Sequence, residues 1–508
     1  MSSSSRQIKI GAIISYLALG INILASLVYL PWMVSMIGKS NYALYTLATS
    51  FISLFMLDFG LSSAVSRFVA KYNAEGKKSQ IDEFISTISR LYIIIDGFIF
   101  IVLFVVFFFI GLIYKGLTSE EIVIFRQLYI IVAINSLISF PFLPLSGILN
   151  AYELFIQQKC AELFQKIFSI ALIVIVLLNG GDVRALVIVN VFAAILTIVL
   201  KLFFVKRHTT VKLKVGFINK DVFFEVAKFS IWVTVMSLAQ RCIFNLAPSI
   251  LGIVSNSTEI ALFAPANALE GYFYTISAAV NGLFLATVSR YVANNDDGKI
   301  YKLMVRVGRY QFFVMGLVFI EFICIGHDFM INWMGKEFVK AWPCAIILFI
   351  PDILIFSEQI ANTTVIAKNK VKQQAIGYVI MAASCLTLSF PLSLIWGAVG
   401  ACIAIGISYS ILFIYMNILY YRKLNINVFG FFKECYLRLA LPMIVIAFIG
   451  YIVCAKFVPV SGWLGLILKG GIVGLFYLGV MIFFLNHDEK IMVKNLLQRK
   501  KRKFYDKS

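Results

Sequence analysis

Two stretches of the chain carry one motif, 223 residues apart. Residues Asp58–Ala70 read DFGLSSAVSRFVA, and residues Asn281–Ala293 read NGLFLATVSRYVA. Each stretch ends an apolar segment and leads into a polar loop that contains Gly-Lys, at Gly76 in the first copy and at Gly298 in the second. The repetition predicts that a block of helices was duplicated.

The composition places these segments in a membrane. Of the 508 residues, 61% are hydrophobic and 14% are charged, and the mean hydropathy is +0.92. Soluble domains are about half apolar and a quarter charged, so an ordinary soluble enzyme is excluded. The apolar runs are also longer than the strands of a membrane barrel. The predicted fold class is therefore an all-α polytopic membrane protein.

Fourteen apolar runs are long enough to cross a bilayer as helices, which takes about 20 residues. They lie at 10–37, 41–66, 86–113, 124–149, 162–178, 184–204, 225–253, 259–288, 303–326, 342–366, 374–394, 398–419, 438–455 and 463–485. Six spans separate the two copies of the motif, and an even number gives both copies the same orientation. We expect two six-helix bundles in parallel pseudo-repeat around a central cavity, followed by two C-terminal helices.

These spans divide the chain into five predicted parts. They are an N-terminal bundle (1–205), a cytoplasmic linker (206–224), a C-terminal bundle (225–420), helices thirteen and fourteen (436–486) and a basic cytoplasmic tail (487–508).

The net charge of +20 is unevenly distributed along the chain, and its distribution predicts the orientation. In a soluble chain such an excess would suggest a nucleic-acid partner. Here, 34 of the 45 Lys and Arg residues fall toward one side of the membrane and 6 fall in loops on the other side. The positive-inside rule explains this asymmetry, so we expect both termini in the cytoplasm and no nucleic-acid partner.

The sequence contains no recognisable catalytic or metal-binding pattern. Its eight cysteines are scattered without close pairing, and its three histidines lie far apart. It also lacks a phosphate-binding glycine loop. The prediction is a protein that is not an enzyme and that has no catalytic residue, metal site or cofactor.

Polar and ionisable side chains within the spans are the candidate substrate-binding residues, because they are expensive in lipid and usually line a wet cavity. They are Arg241, Asn245, Glu270, Tyr274, Asp58 and Arg90. Arg241 lies mid-span, one helical turn from Asn245, and Glu270 lies near Tyr274 in the next span. A guanidinium suits a pyrophosphate, and aromatic faces suit sugar rings.

Each candidate also has a structural interpretation. Arg241 could form an ion pair with Glu270, and Asp58 could be neutralised by an arginine of either motif copy. Arg90 lies near a span end, where it could extend to the membrane interface as an anchor.

Span ten contains the candidates for ion coupling, Asp352 and Glu358. Either carboxylate could carry a proton or a sodium ion. Pro351 directly precedes Asp352 and is predicted to permit a bend, as in the mobile helices of transporters. Pro141 and Pro144 occupy the equivalent span of the first half.

The chain resembles the Wzx-type polysaccharide flippases of the MOP exporter superfamily. The resemblance rests on the parallel halves, on the Asp58-x-Gly60…Arg67 stretch, on the passage from Gly252 to Phe263 and on the basic tail. The family often has an acidic residue in the middle of span seven, where this chain has Arg241.

The resemblance implies a transporter of the bacterial inner membrane that moves an undecaprenyl-pyrophosphate-linked oligosaccharide outward by alternating access. The cargo would be a repeat unit of O-antigen, capsule or exopolysaccharide. Implied partners are the lipid-linked cargo, membrane lipids, a coupling H⁺ or Na⁺ and polysaccharide assembly proteins. The alternatives are a multidrug or small-cation antiporter of the same superfamily and a membrane-embedded glycan polymerase or ligase.

Overall fold

The fold is helical throughout the part of the chain that the computed structural model describes. This part comprises residues 20, 23–56, 58–211, 216, 219–278, 284–456, 460, 462–486 and 489–490. No strand occurs among these residues, which confirms the all-α fold class.

The first half of the chain forms α1 to α8. Their bounds are α1 (Ile23–Ile37), α2 (Lys39–Ser53), α3 (Leu61–Ala74), α4 (Lys78–Ile113), α5 (Ser119–Ser139), α6 (Pro144–Ala151), α7 (Phe155–Leu178) and α8 (Val183–His208). Local sequence fixes several starts. The side chain of Thr118 accepts a hydrogen bond from the N–H of Glu121 in a capping box at α5, and Asp182 caps α8 in a similar way.

The second half begins with a long helix and then follows the same order. Its helices are α9 (Lys220–Val254), α10 (Ser257–Ala278), α11 (Leu285–Ala293), α12 (Asp297–Met334), α13 (Ala341–Ser357), α14 (Gln359–Ala367), α15 (Val371–Leu424), α16 (Val428–Phe431), α17 (Arg438–Lys456) and α18 (Gly462–Met481). A π-helical turn, Phe432–Leu437, joins α16 to α17.

The duplicated motif lies in a short helix in each half of the chain. In the first copy the chain leaves the helix after Ser53 and re-enters it at Leu61, whereas the sequence had predicted one helix over 41–66. In the second copy α10 ends at Ala278 and α11 begins at Leu285. The intervening residues 279–283, which include Asn281 of the motif, lie outside the described part. Each short helix is followed by a long one, and the two long helices, α4 and α12, have similar lengths of 36 and 38 residues. This similarity supports the duplication.

The number of membrane spans depends on how bent helices are counted. Among the described residues, nine helices are long and apolar enough to cross a bilayer, or eleven if each of two bent pairs forms one span. One of the nine, α15, has 54 residues and would be about 80 Å long, far more than the hydrocarbon core. Gly397 interrupts it with a φ of 55°, and Gly400 lies against the carbonyl of Leu392, so α15 contains two helices.

The lipid-facing surface is clearest on α4. Phe98, Phe100, Phe104 and Phe108 are each more than half exposed along this helix. Only 17% of its most apolar 18-residue stretch is buried within the protein. A row of exposed phenylalanines is stable only against hydrocarbon, so this face meets the bilayer.

The described helices pack into two compact units. Unit 1 contains the chain up to Ala268 together with Val371–Leu412. Unit 2 contains Leu269–Lys370 together with the chain from Phe413 onward. The domain boundaries expected from the repeat, with bundles at 1–205 and 225–420, stay a prediction.

Candidate functional site

An aspartate stabilises the chain at the break in span two. Asp58 precedes α3, and its carboxylate accepts hydrogen bonds from the backbone N–H of Ser62 at 3.1 and 3.2 Å and from the Ser62 hydroxyl at 2.7 Å. The Tyr92 hydroxyl donates a further hydrogen bond of 2.6 Å. Phe59 and Gly60 both have positive φ values, 53° and 66°. A chain turn followed by an N-terminal cap therefore starts the second half-helix.

Arg241 forms a hydrogen bond at the other end of the same break. This half-buried residue lies in α9, and its Nη1 donates a hydrogen bond of 2.6 Å to the carbonyl oxygen of Ser53, at the end of α2. Asp58 is close enough to interact with it electrostatically. Helix C-termini favour cations and N-termini favour anions, so Arg241 and Asp58 each complement the half-helix end that they approach.

Two further candidates form hydrogen bonds with backbone carbonyl groups. Asn245 donates its side-chain N–H to the carbonyl oxygen of Arg241 at 3.2 Å, one turn back along α9. Arg90, on α4, donates to the carbonyl oxygen of Gly216 at 3.4 Å. Arg90 thus connects α4 to Gly216, which precedes α9, and its place at the membrane interface stays a prediction.

Glu270 and Asp352 form a buried pair of carboxyls in unit 2. They are 3% and 2% exposed, and their side chains are within hydrogen-bonding reach of each other. One oxygen of each, Oε1 of Glu270 and Oδ2 of Asp352, has no hydrogen-bond partner among the described residues. Two ionised carboxylates at this separation would repel strongly, so the pair suits a shared proton or a bound cation.

Tyr274 lies beside these two carboxyls, close enough to interact electrostatically with both. Its ring contacts Phe356 edge-on at a centroid distance of 5.0 Å. Phe273 stacks on Phe349 at 4.4 Å on the neighbouring face of α10. The structure thus brings three predicted site residues together, Glu270, Tyr274 and Asp352, although they had been assigned to two different roles.

Glu358 occupies a separate place in unit 2, at the break between α13 and α14. These helices differ in direction by 53°, and Glu358 is 2% exposed. Asn417 donates to its Oε2 at 3.0 Å and Tyr436 donates to its Oε1 at 3.3 Å. The bend was predicted at Pro351, but Pro351 lies within α13 and the change of direction falls seven residues later.

The sequence did not reveal the strongest polar cluster in unit 2, which surrounds Arg309. This arginine is 2% exposed in α12, and its Nε and Nη2 donate to the two carboxylate oxygens of Glu489 at 2.7 and 3.0 Å. Nη1 donates to the carbonyl oxygen of Glu434 at 2.7 Å. Arg309 therefore fastens the segment after α18 to α12 and to the π-helical turn.

The electrostatics of Glu489 follow from these contacts. Burial acts to raise its pKa, but the hydrogen bonds from Arg309 and from the backbone N–H of Asn486 outweigh burial, so the pKa lies below the ordinary value. The carboxylate form is therefore favoured. The sequence signal was an arginine in the helix that follows each motif copy, Arg90 in the first half and Arg309 in the second.

No metal centre is present in the part of the chain that the structure describes, where no three His, Cys, Asp or Glu side chains converge. The arrangement instead offers intramembrane charges at helix breaks. Discontinuous helices with polar groups at their ends are typical of secondary transporters, in which such ends bind substrates and ions.

Comparison with solved structures defines the class of protein. A lipid II flippase, MurJ, in an inward closed conformation is similar with a TM-score of 0.72 and 16% identity, covering 94% of this chain and 98% of MurJ. A multidrug resistance MATE family transporter of the MOP superfamily gives 0.68 and 13%, covering 83% and 99%. A MOP superfamily transporter from Pyrococcus furiosus gives 0.59 and 12%, covering 81% and 93%. The chain has the fold of the MOP transporters.

The family follows from the sequence itself. The family model described as polysaccharide biosynthesis protein matches residues 8–284, more than half of the chain. The chain belongs to this family, which confirms the resemblance to polysaccharide flippases. No curated protein matches the sequence significantly.

Proposed function

We propose that this protein is a flippase that carries an undecaprenyl-pyrophosphate-linked oligosaccharide outward across the bacterial inner membrane. The cargo would be a repeat unit of O-antigen, capsule or exopolysaccharide, moved by alternating access. Membership of the polysaccharide biosynthesis family and the fold shared with a lipid II flippase support this proposal. Both termini are proposed to be cytoplasmic, as the positive-inside count predicts, and polysaccharide assembly proteins are the proposed partners.

The single observation that carries the proposal is the charged break in span two. Arg241 uses Nη1 for the Ser53 carbonyl, and a guanidinium has five N–H donors, so others remain for a second acceptor. A pyrophosphate could accept them in bidentate fashion. We propose that three other predicted residues contribute to the substrate-binding site, namely Asn245, Arg90 and Asp58.

We also propose that transport is coupled to an ion through Asp352. Its pairing with Glu270 provides the facing carboxyls that a proton or a sodium ion can bridge. Tyr274 would then border the ion site. Glu358 is the weaker candidate, because its two carboxylate oxygens already accept hydrogen bonds from Asn417 and Tyr436.

A second candidate function is export of organic cations. The observation that favours it is the same carboxyl pair, because Glu270 and Asp352 could attract a cationic drug. The guanidinium of Arg241 favours an anionic cargo instead. A glycan polymerase or ligase is less compatible with the fold, because the similar solved structures are those of transporters.

Complementation tests the proposal. The gene is expressed in a cell that lacks its own polysaccharide flippase, and surface glycan is measured. We expect export to be restored by the native chain and lost with Arg241→Ala while the protein stays in the membrane. Unchanged glycan, together with acquired resistance to cationic drugs, would favour the antiporter.

A further inference from the structure

A row of charged and polar side chains runs along one face of α7. Lys159, Glu162, Lys166 and Ser169 follow one another at intervals of three, four and three residues. This spacing places all four on one side of an α-helix. Three of them lie within the first four turns of α7, in a helix that the sequence assigned to a membrane span.

The inner end of this face packs inside unit 1, whereas the side chains of Lys159 and Glu162 at its outer end are 38% and 40% exposed. The hydroxyl of Ser169 donates a hydrogen bond of 2.6 Å to the side-chain oxygen of Asn190 on α8. The lipid-facing positions of α7 are different ones, since Ile167, Ile175 and Leu178 are more than half exposed. Lys166 lies between the partly exposed Lys159–Glu162 pair and the buried Ser169, and is therefore not a side chain that simply lies against the bilayer.

A third lysine joins the row from α8. The Nζ of Lys201 donates to the hydroxyl of Ser146 on α6 at 3.0 Å, and Lys201 interacts electrostatically with Glu162 and Lys159. Antiparallel packing of α7 against α8 brings the three lysines to the same end of unit 1. We call Lys159, Lys166, Lys201 and Glu162 the lysine face.

The lysine face carries an excess of positive charge. Lys159 is paired with Glu162 at 2.9 Å, which leaves Lys166 and Lys201 without a carboxylate partner within ion-pair distance in the described chain. Lys166 has no hydrogen-bond acceptor among those residues either, although it is half-buried. An ammonium group in such a place needs water or an anion. The face therefore has the net positive charge that an anionic ligand requires.

The depth of the face indicates which anion it meets. Lys159 follows the start of α7 by four residues and Lys201 precedes the end of α8 by seven. These distances correspond to about 6 and 10 Å along the helices. The four-carbon stem of Lys166 can extend toward the same level. The anions that occupy this depth in a membrane are the phosphates of lipid head groups.

We propose that the lysine face is a binding site for the phosphate group of a membrane lipid. The inference deepens the proposed function, and its location on the cytoplasmic side rests on the orientation proposed there. Lysine binds phosphate as a point charge, and Lys201 supplies one such charge beside the Ser146 hydroxyl, with Lys166 on the helix packed against it. Two membrane lipids carry such a phosphate, the polyprenyl carrier, for which the face would be an entry site, and an anionic phospholipid of the same leaflet, and the experiment below distinguishes them.

Lipid binding to the purified full chain tests this site. Undecaprenyl pyrophosphate, phosphatidylglycerol and phosphatidylcholine are titrated against the native protein and against the double variant Lys166→Met/Lys201→Met. Methionine keeps an unbranched chain and removes the charge, so insertion into the membrane is preserved. The matched control is Lys206→Met, which removes one charge from an exposed position on α8, the helix that contains Lys201.

The double variant is expected to bind an anionic lipid at least about tenfold more weakly, because a hydrogen bond to a charged group contributes about one factor of ten or more in affinity. Lys206→Met is expected to bind like the native chain. A selective loss for undecaprenyl pyrophosphate identifies the carrier as the ligand, and a selective loss for phosphatidylglycerol identifies a phospholipid.

Equal affinities of the native chain and the double variant for both anionic lipids would overturn the inference. That result is distinguishable from failure of the proposed function. If the native chain does not restore glycan export but the double variant still loses lipid binding, the site stands and the flippase proposal fails.

Discussion

Arg241 caps the half-helix that ends at Ser53. Its Nη1 donates a hydrogen bond of 2.6 Å to the Ser53 carbonyl oxygen across 188 residues of sequence. The carbonyl groups at the end of a helix lack partners, and in a membrane an unpaired carbonyl is costly. A charge that the sequence suggested for cargo binding therefore also maintains the break in span two.

This dual role gives the first prediction. Arg241→Ala should lower the free energy of unfolding by about 1.5–3 kcal/mol, the range for hydrogen bonds to charged groups, and should abolish glycan export. Arg241→Gln keeps a neutral N–H donor for Ser53 but has no charge for a pyrophosphate. We expect it to recover much of the stability and little of the export. Thermal unfolding of the purified protein and surface-glycan staining measure the two effects.

Export at the native level by Arg241→Gln would contradict the cargo role and leave Arg241 as a helix cap. The double change Arg241→Ala/Glu270→Ala is a further control. The hydrogen-bonding partners described for Arg241 and Glu270 lie in separate units, at Ser53 and at Asp352, so we expect no rescue.

The second prediction concerns the other end of the break. Asp58→Ala removes the cap of α3 and should lower the free energy of unfolding by about 0.5–2 kcal/mol. Tyr92→Phe removes one donor to the same carboxylate and should lower it by about 0.5–1.5 kcal/mol. Because the two groups share a hydrogen bond, the double variant should lose less stability than the sum of the losses in the two single variants. Strict additivity in thermal unfolding would show that the 2.6 Å contact contributes nothing.

The third prediction assigns the coupling carboxylate. Asp352→Asn should make transport insensitive to an imposed proton or sodium gradient, because the pair with Glu270 can no longer hold a shared proton or cation. Glu358→Gln is the matched control. Its amide can still accept from Tyr436, so gradient dependence should persist. Uptake by vesicles with and without each gradient measures the difference, and the reverse pattern would move the coupling role to Glu358.

The fourth prediction is a pH dependence that arises from Glu489. Because the folded-state pKa of Glu489 is lowered, its contribution to stability is present above the ordinary glutamate pKa of about 4.3 and is lost as the pH falls through the lower folded-state value. Glu489→Gln should remove this step from the unfolding temperature plotted against pH. A native-like acid step in Glu489→Gln would assign it to other carboxylates.

The fold class could be predicted because the hydrophobicity of the spans and the charge asymmetry of the loops are each summed over many residues. Neither depends on any single contact. The motif around Arg67 and Arg290 also predicted equivalent helices, and the two arginines lie in the short helices α3 and α11. The break between Ser53 and Leu61 was missed because a hydropathy window averages over it. The local signal was present in Asp58-Phe59-Gly60, where an aspartate precedes a glycine that has a positive φ.

The candidate site was predicted only in part. Single intramembrane charges can be read from the sequence, but their partners depend on packing between distant segments. Glu270 and Asp352 are 82 residues apart, and no local pattern links them. Lys166 and Lys201 lie in two different predicted spans, and only the packing of α7 against α8 shows that they lie toward the same end of unit 1.

The most direct test of the central claim is flipping of a fluorescent undecaprenyl-pyrophosphate oligosaccharide by the purified protein in proteoliposomes. Cargo accessible at one leaflet is quenched or digested, and the rate at which the other leaflet's pool becomes accessible is measured. We predict ion-gradient-dependent flipping by the native chain and none with Arg241→Ala. Equal rates for native and protein-free liposomes, with transport of an organic cation instead, would contradict the account.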